Sequence, residues 1–389
     1  MRATFLRSAA RALALGAAGF AASGSALGAS TVLVESPARE TIVETVLVSR
    51  EVKAQVARLR DASTADPATR VVAARRLIQA GRASGDPRLL GYAEAQLGTA
   101  DDVESLVLRA TIAQSQHRFD TARALLDDAL RRVPGHAQAR LTRASIAQAQ
   151  GRHREALHDC AGLADRAPAM AQVCTALSEA ATGAPERALQ RLERSAREPG
   201  VRGWAWSVAG EIQLQLGEPA LAARSLRSSL AIEEDLYTRV ALADALLAVG
   251  QAAEAQRALA AAPAADAVLL RRWQAERQLQ SSAAPFARAP ADELERQLDA
   301  RFALDATRGT PLHAREAARF ALDRGRTGQA LQLARRNWSS QREAADALLL
   351  AEAARATGDA TTVRELQRWL DDTGLRDRRI DVVLAGSAQ

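Results

Sequence analysis

The chain has 389 residues, 48% of them hydrophobic and only 3% aromatic, with a formal net charge of +6. That length supports a substantial buried core, but so few rings exclude one built on large aromatic contacts and favour many small helix–helix contacts. The charge excludes a nucleic-acid partner: Arg2, Arg7 and Arg11 supply half of the excess, leaving +3, and elsewhere Arg alternates with Glu and Asp instead of clustering.

Residues 1–28 have the layout of a secretory leader. Three Arg precede an apolar stretch from Ala12 to Ala22, and small residues lead to Ala26, Leu27 and Gly28. The stretch is too short and too rich in Gly, Ser and Ala to read as a membrane anchor. No Cys lies near the cleavage region, which argues against a lipoprotein. Export to the periplasm or beyond is therefore expected. Residues 29–66 form a non-repeat N-terminal segment, in which Thr31–Val34 and Thr41–Val48 are β-branched and strand-like while Glu51–Arg60 has helical spacing.

From there onward the chain repeats. A Gly-x4-Ala pair recurs at Gly151/Ala156, Gly183/Ala188, Gly217/Ala222, Gly250/Ala255 and Gly325/Ala330, and His117/Ala122 and Gly358/Val363 fit with one change each. Successive starts lie 34, 32, 34, 33, 75 and 33 residues apart. An apolar step follows four residues after the Ala, as in Ala122/Leu126, Ala156/Cys160, Ala188/Leu192, Ala222/Leu226 and Ala255/Leu259. Before six of these turns stands a small residue: Ala110, Ala144, Gly210, Ala243, Ala318 and Ala351. Two antiparallel helices joined by a tight turn pack closely only where their crossing lacks bulk, and Gly at the turn takes the positive φ that ends the first helix.

The period and these offsets resemble the tetratricopeptide-repeat (TPR) family. Pro134 and Pro168, again 34 apart, look like its proline at the end of a second helix, and Trp206 is the best counterpart of its first-helix aromatic. The resemblance implies an all-α fold, a right-handed superhelical solenoid of antiparallel helix hairpins. The expected layout is leader 1–28, non-repeat segment 29–66, repeats 67–263, an irregular expanded hairpin 264–310, further repeats 311–375 and a tail 376–389. Residues 68–97, turning at Gly85, Asp86 and Pro87, read as a degenerate first repeat, and the stretch after Arg379 as poorly ordered. The 75-residue gap reads either as that expanded hairpin or as a hinge between sub-arrays.

No arrangement of His117, His136, His153, His158 and His313 has metal-ligand spacing, and no nucleophile elbow, phosphate loop or dinucleotide fingerprint occurs, so no metal, cofactor or catalytic residue is assigned. Cys160 and Cys174 fall on facing helices of adjacent repeats. Either they pair in an oxidising compartment or they serve as small core residues. In the family, first helices line a concave groove that binds a protein or peptide. In this register its residues are Glu104, Thr111 and Gln114, then Gln138, Ser145 and Gln148, then Trp204, Glu211, Tyr237 and Asp244. Any surface helix carries polar residues at this spacing, so the set reads equally as a solvated face. The function expected is a scaffold or adaptor without catalysis; the alternative is an accessory that docks on a cell-envelope membrane complex.

Overall fold

The computed structural model describes Ala57 and residues 66–281, 289–307 and 313–386. The expected leader and almost all of segment 29–66 lie outside these. The described secondary structure is helical throughout and pairs into nine hairpins. The first five are α1 (Pro67–Ser84) with α2 (Arg88–Leu97), α3 (Val103–Ser115) with α4 (Phe119–Arg132), α5 (Ala137–Ala149) with α6 (His153–Ala161), α7 (Pro168–Ala181) with α8 (Pro185–Ser195), and α9 (Arg202–Gln215) with α10 (Pro219–Leu230). Then come α11 (Leu236–Ala248) with α12 (Ala252–Leu259), α13 (Asp266–Ser281) with α14 (Ala289–Thr307), α15 (Ala314–Asp323) with α16 (Thr327–Trp338), and α17 (Ala344–Thr357) with α18 (Ala360–Thr373). A last helix, α19 (Arg378–Ala385), packs on α17.

The recurring turn has one construction. In six hairpins the second residue after the helix end adopts a left-handed φ: five are glycines, and the sixth is His117, at φ 56° the only non-glycine among the described residues to do so, while in the ninth hairpin Gly358 takes this conformation one residue earlier. The following amide then reaches back five residues to a carbonyl, as Arg152 does to Ala147 at 2.7 Å and Glu218 to Gln213 at 2.8 Å. This satisfies a carbonyl that the helix end would otherwise leave without a partner. Proline opens the next helix at Pro185 and Pro219, where an amide is dispensable and its φ is already helical.

Packing follows from the small residues. Ala110, Ala144, Ala243, Ala318 and Ala351 are fully buried, as are their partners Ala122, Ala156, Ala255 and Ala330. At Gly210 even a methyl group would stand 2.5 Å from Leu226 Cγ, so Gly is required for these two helices to approach. Leu126, Leu192, Leu226 and Leu259 then fill the groove toward the next hairpin. Each such side chain contributes about 1.5–3 kcal/mol on burial, too little for one hairpin to stand alone, so neighbours complete the core.

Two local readings are corrected. Pro168 does not close a second helix: α6 ends at Ala161, and Pro168 is the first residue of α7, where its ring is well suited. Residues 380–385, after Arg379, are ordered, because they belong to α19, which Asp377 caps and whose Ile380 is fully buried. The 75-residue gap contains the long helices α13 and α14, whose core is aromatic: Trp273 is fully buried and meets Phe320 edge-on at 4.9 Å.

The solenoid winds back onto itself. The turn of the third hairpin meets the start of the ninth, six repeats on, where the Arg342 amide donates to the Ala149 carbonyl at 2.7 Å. The neighbouring turns do the same with their counterparts, Gly85 against Leu236 and Ala265, and Gly217 against Arg378.

Candidate functional site

Winding of this kind turns the concave face into a chamber of about 1450 Å³, lined mainly by the first helices of the second to ninth hairpins. Seven of the ten residues proposed for the groove line it: Gln114, Ser145 and Gln148, then Trp204, Glu211, Tyr237 and Asp244.

The other three do not, and each for a stated reason. Thr111 is buried and its hydroxyl donates to the Val107 carbonyl one turn back, at 2.9 Å. Glu104 accepts from Arg75 at 2.8 Å and pairs with His136 at 3.0 Å, and the Gln138 amide donates to Thr142 at 3.1 Å. Glu104 and Gln138 stand in the first turns of α3 and α5. No later coil of the solenoid stacks against that edge, because the contacts between coils join the turns of early hairpins to the starts of late ones.

Most polar groups on the wall are already engaged with the next repeat. Gln114 donates to Ser145 Oγ at 2.8 Å, Gln148 to Ser178 Oγ at 3.0 Å and to the Cys174 carbonyl at 3.1 Å, and Ser207 shares a 2.9 Å bond with Thr238. Farther along, Arg271 grips both oxygens of Asp244 at 2.8 and 2.9 Å. Arg315 holds Asp346 at 2.6 Å and Glu343 at 2.5 Å. Arg319 pairs with Glu352. These bonds run from one first helix to the next and fix the curvature of the wall.

Glu211 is the exception. Its carboxyl accepts one bond, from the Tyr237 hydroxyl at 3.1 Å. Burial, seconded by the nearby Glu343 charge, pushes its pKa up to about 8, against the pull of the Tyr237 bond and of Arg315. The Glu211 charge, seconded by burial and by the Glu343 charge, raises the Tyr237 phenol. Tyr237 is nevertheless 55% accessible to water, so the ring projects into a solvent-filled space deep within the protein. Trp204 is half-buried and packs on apolar clusters of the third to fifth hairpins.

Sequence reasoning missed the C-terminal wall: Arg271, Arg315, Arg319, Glu316, Glu343 and Glu352. A signal was present for two of them. Glu211 and Asp244 stand six residues before a turn glycine, and the same offset from Gly325 and Gly358 gives Arg319 and Glu352.

Cys160 and Cys174 form a disulfide between α6 and α7, with their Cα atoms 5.5 Å apart. Gln148 bonds to the Cys174 carbonyl, so this covalent link lies directly behind the wall.

No family profile and no curated protein matches the chain. Among solved structures, Cut9–Hcn1, an APC/C hetero-tetramer, superposes over 84% of this chain and 64% of that one, with a TM-score of 0.51 at 12% identity. The chain has the tetratricopeptide-repeat fold. A thermophilic TPR protein of Thermus thermophilus aligns with 49% of this chain and 98% of its own, at 21% identity and a TM-score of 0.37. A tetratricopeptide repeat protein of Parabacteroides merdae aligns with 74% and 98%, at 15% and 0.31.

Proposed function

We propose that this protein is an exported, non-catalytic scaffold that holds an extended segment of a partner protein inside its chamber. The observation that carries this reading is the volume of about 1450 Å³ ringed by first helices. Pockets for small ligands run to about 300–1,000 Å³, so this space suits a peptide better. Trp204 and Tyr237 offer aromatic surface of the kind that anchors partners. Glu211, with a single bonded neighbour, retains polar capacity for a peptide backbone or side chain. Export rests on the leader-like layout of residues 1–28, and the Cys160–Cys174 disulfide accords with an oxidising compartment.

A photo-activatable residue in place of Tyr237 tests the reading in intact cells, with the outward-facing Val133 as control. The expected result is a crosslink from position 237 to one segment of one soluble partner, lost when Trp204→Ala is added. Crosslinks from position 133 alone would overturn the chamber as the binding site. Crosslinks from 237 only to an integral membrane complex would instead support docking on the envelope.

A further inference from the structure

The chamber wall has a seam where one coil of the solenoid lies on the next, and the contacts along it differ in kind from those that build the hairpins. Moving along the chain, Gly85 stands against Ala265 and Leu236; His117 faces Gln341, with 3.4 Å between polar atoms. Next comes the bond from the Arg342 amide to the Ala149 carbonyl, with the Arg342 side chain against Gly151. The backbones of Gly183 and Gly374 touch, Glu186 pairs with Arg376 at 2.8 Å, and Gly217 abuts Arg378. Five successive hairpin turns thereby lie against the later coil, which covers that side of the groove.

What the seam lacks is apolar cement. Each hydrophobic cluster of the described residues draws on helices that follow one another along the chain, and none joins the two coils. The Glu186–Arg376 pair is more than half exposed on both sides, which leaves it weak and screened by salt. Glycine backbones supply contact area without interlocking side chains. Such a boundary belongs to the low end of the local stability range, whereas the hairpins, with their fully buried Ala and Leu, belong to the high end.

We propose that this seam is a gate: the ninth hairpin and α19 lift from the turns of the third to fifth hairpins, and the chamber opens sideways to take in the middle of a partner's chain. This rests on the chamber reading above and names the kind of partner. A permanently closed seam would admit only a free terminus threaded along the axis. One that parts and recloses can clasp an internal segment with folded domains on both sides.

Hydrogen exchange at the Arg342 amide reads the gate without a partner. That amide precedes α17, and its bond crosses the seam, so its exchange reports parting of the coils. The described chain has no free cysteine, so Glu186→Cys with Arg376→Cys provides two thiols that a short bis-maleimide can bridge. In the unbridged protein the Arg342 amide should exchange at least a hundredfold faster than those of Ile146 and Leu226. Bridging should slow it at least tenfold and leave those two unchanged. Arg376→Ala, which introduces no new bond, should speed it two- to fivefold. The gate is overturned if Arg342 is as protected as Ile146 and Leu226, since the coils would then part only on global unfolding. It is equally overturned if neither the bridge nor Arg376→Ala alters its rate. A chamber without a partner would leave a positive result standing, and a shut seam would leave the chamber open to a threaded terminus, so the two readings fail separately.

Discussion

The hairpins that keep a spacing of 32–34 residues and the seventh hairpin, which breaks it, close their helices by different means. In the former, Ala sits on Ala or Gly on Leu, and the helices meet almost backbone to backbone. In the latter, α13 and α14 are longer and the gap is filled by Trp273, with Phe302 and Phe320 beside it. Trp273 also spends its indole N–H on Glu295 at 3.2 Å, and Arg277 lies over its face. Small residues at fixed offsets thus define a repeat that can be copied, whereas an aromatic plug allows one irregular unit to be inserted without breaking the stack.

Removing that plug should have the largest effect. Trp273→Ala leaves a cavity between α13, α14 and α15 and should cost about 3–5 kcal/mol. Because stability in such arrays passes between neighbours, urea unfolding should split into two transitions as the halves on either side uncouple. A single transition with only a small shift in midpoint would mean that the aromatic cluster is not what joins them.

Among the periodic hairpins the strongest single tie is covalent. Replacing Cys160 and Cys174 together by Ala should lower stability by about 3 kcal/mol, the value expected for a bridge closing a loop of this length. The Ala at 160 keeps part of the packing, so a much smaller loss would assign these positions to the core alone. The Gly–Leu approach is tested next. Gly210→Ala forces a methyl against Leu226 and should cost about 1–3 kcal/mol, although Ala is the better helix former. The double variant with Leu226→Ala should relieve part of that penalty, a coupling that two distant sites would not show.

How much of this was legible in the sequence follows the same division. The period located the turns of the second to sixth, eighth and ninth hairpins, because Gly at a left-handed φ and Ala at a crossing are local requirements that no neighbour can replace. Gln114, Ser145 and Gln148 were placed on the wall by the same register. The register misplaced Thr111, Glu104 and Gln138 because it gives the direction of a side chain on its helix, not which edge another coil will cover. The seam was not legible at all. It joins residues as far apart as His117 and Gln341, and their meeting depends on small rotations accumulated over six hairpins. Arg271 was hidden for a simpler reason: it lies in the hairpin that leaves the period.

That same irregularity explains the last and smallest prediction. Glu211 and Asp244 occupy equivalent positions on the wall, six residues before their turn glycines. The seventh hairpin brings Arg271 onto both oxygens of Asp244, whereas the helix facing Glu211 brings Tyr237. A hydroxyl donor favours the ionised carboxylate less than a guanidinium does, so burial prevails at Glu211 and its pKa rises to about 8. A carboxyl whose pKa is higher folded than unfolded makes the native state bind more protons. Its contribution to stability is complete below the unfolded pKa, near 4.5, and declines as the pH rises through 8. Carboxyl-resolved NMR should therefore find Glu211 titrating far above ordinary glutamates. Tyr237→Phe should move that titration higher still, because the lost hydroxyl bonds the charged form, while changing stability at pH 6 by less than about 1 kcal/mol. Glu211→Gln should flatten the decline in stability between pH 5 and 9. If Tyr237→Phe lowered the titration instead, the hydroxyl would be stabilising the protonated acid and not the carboxylate.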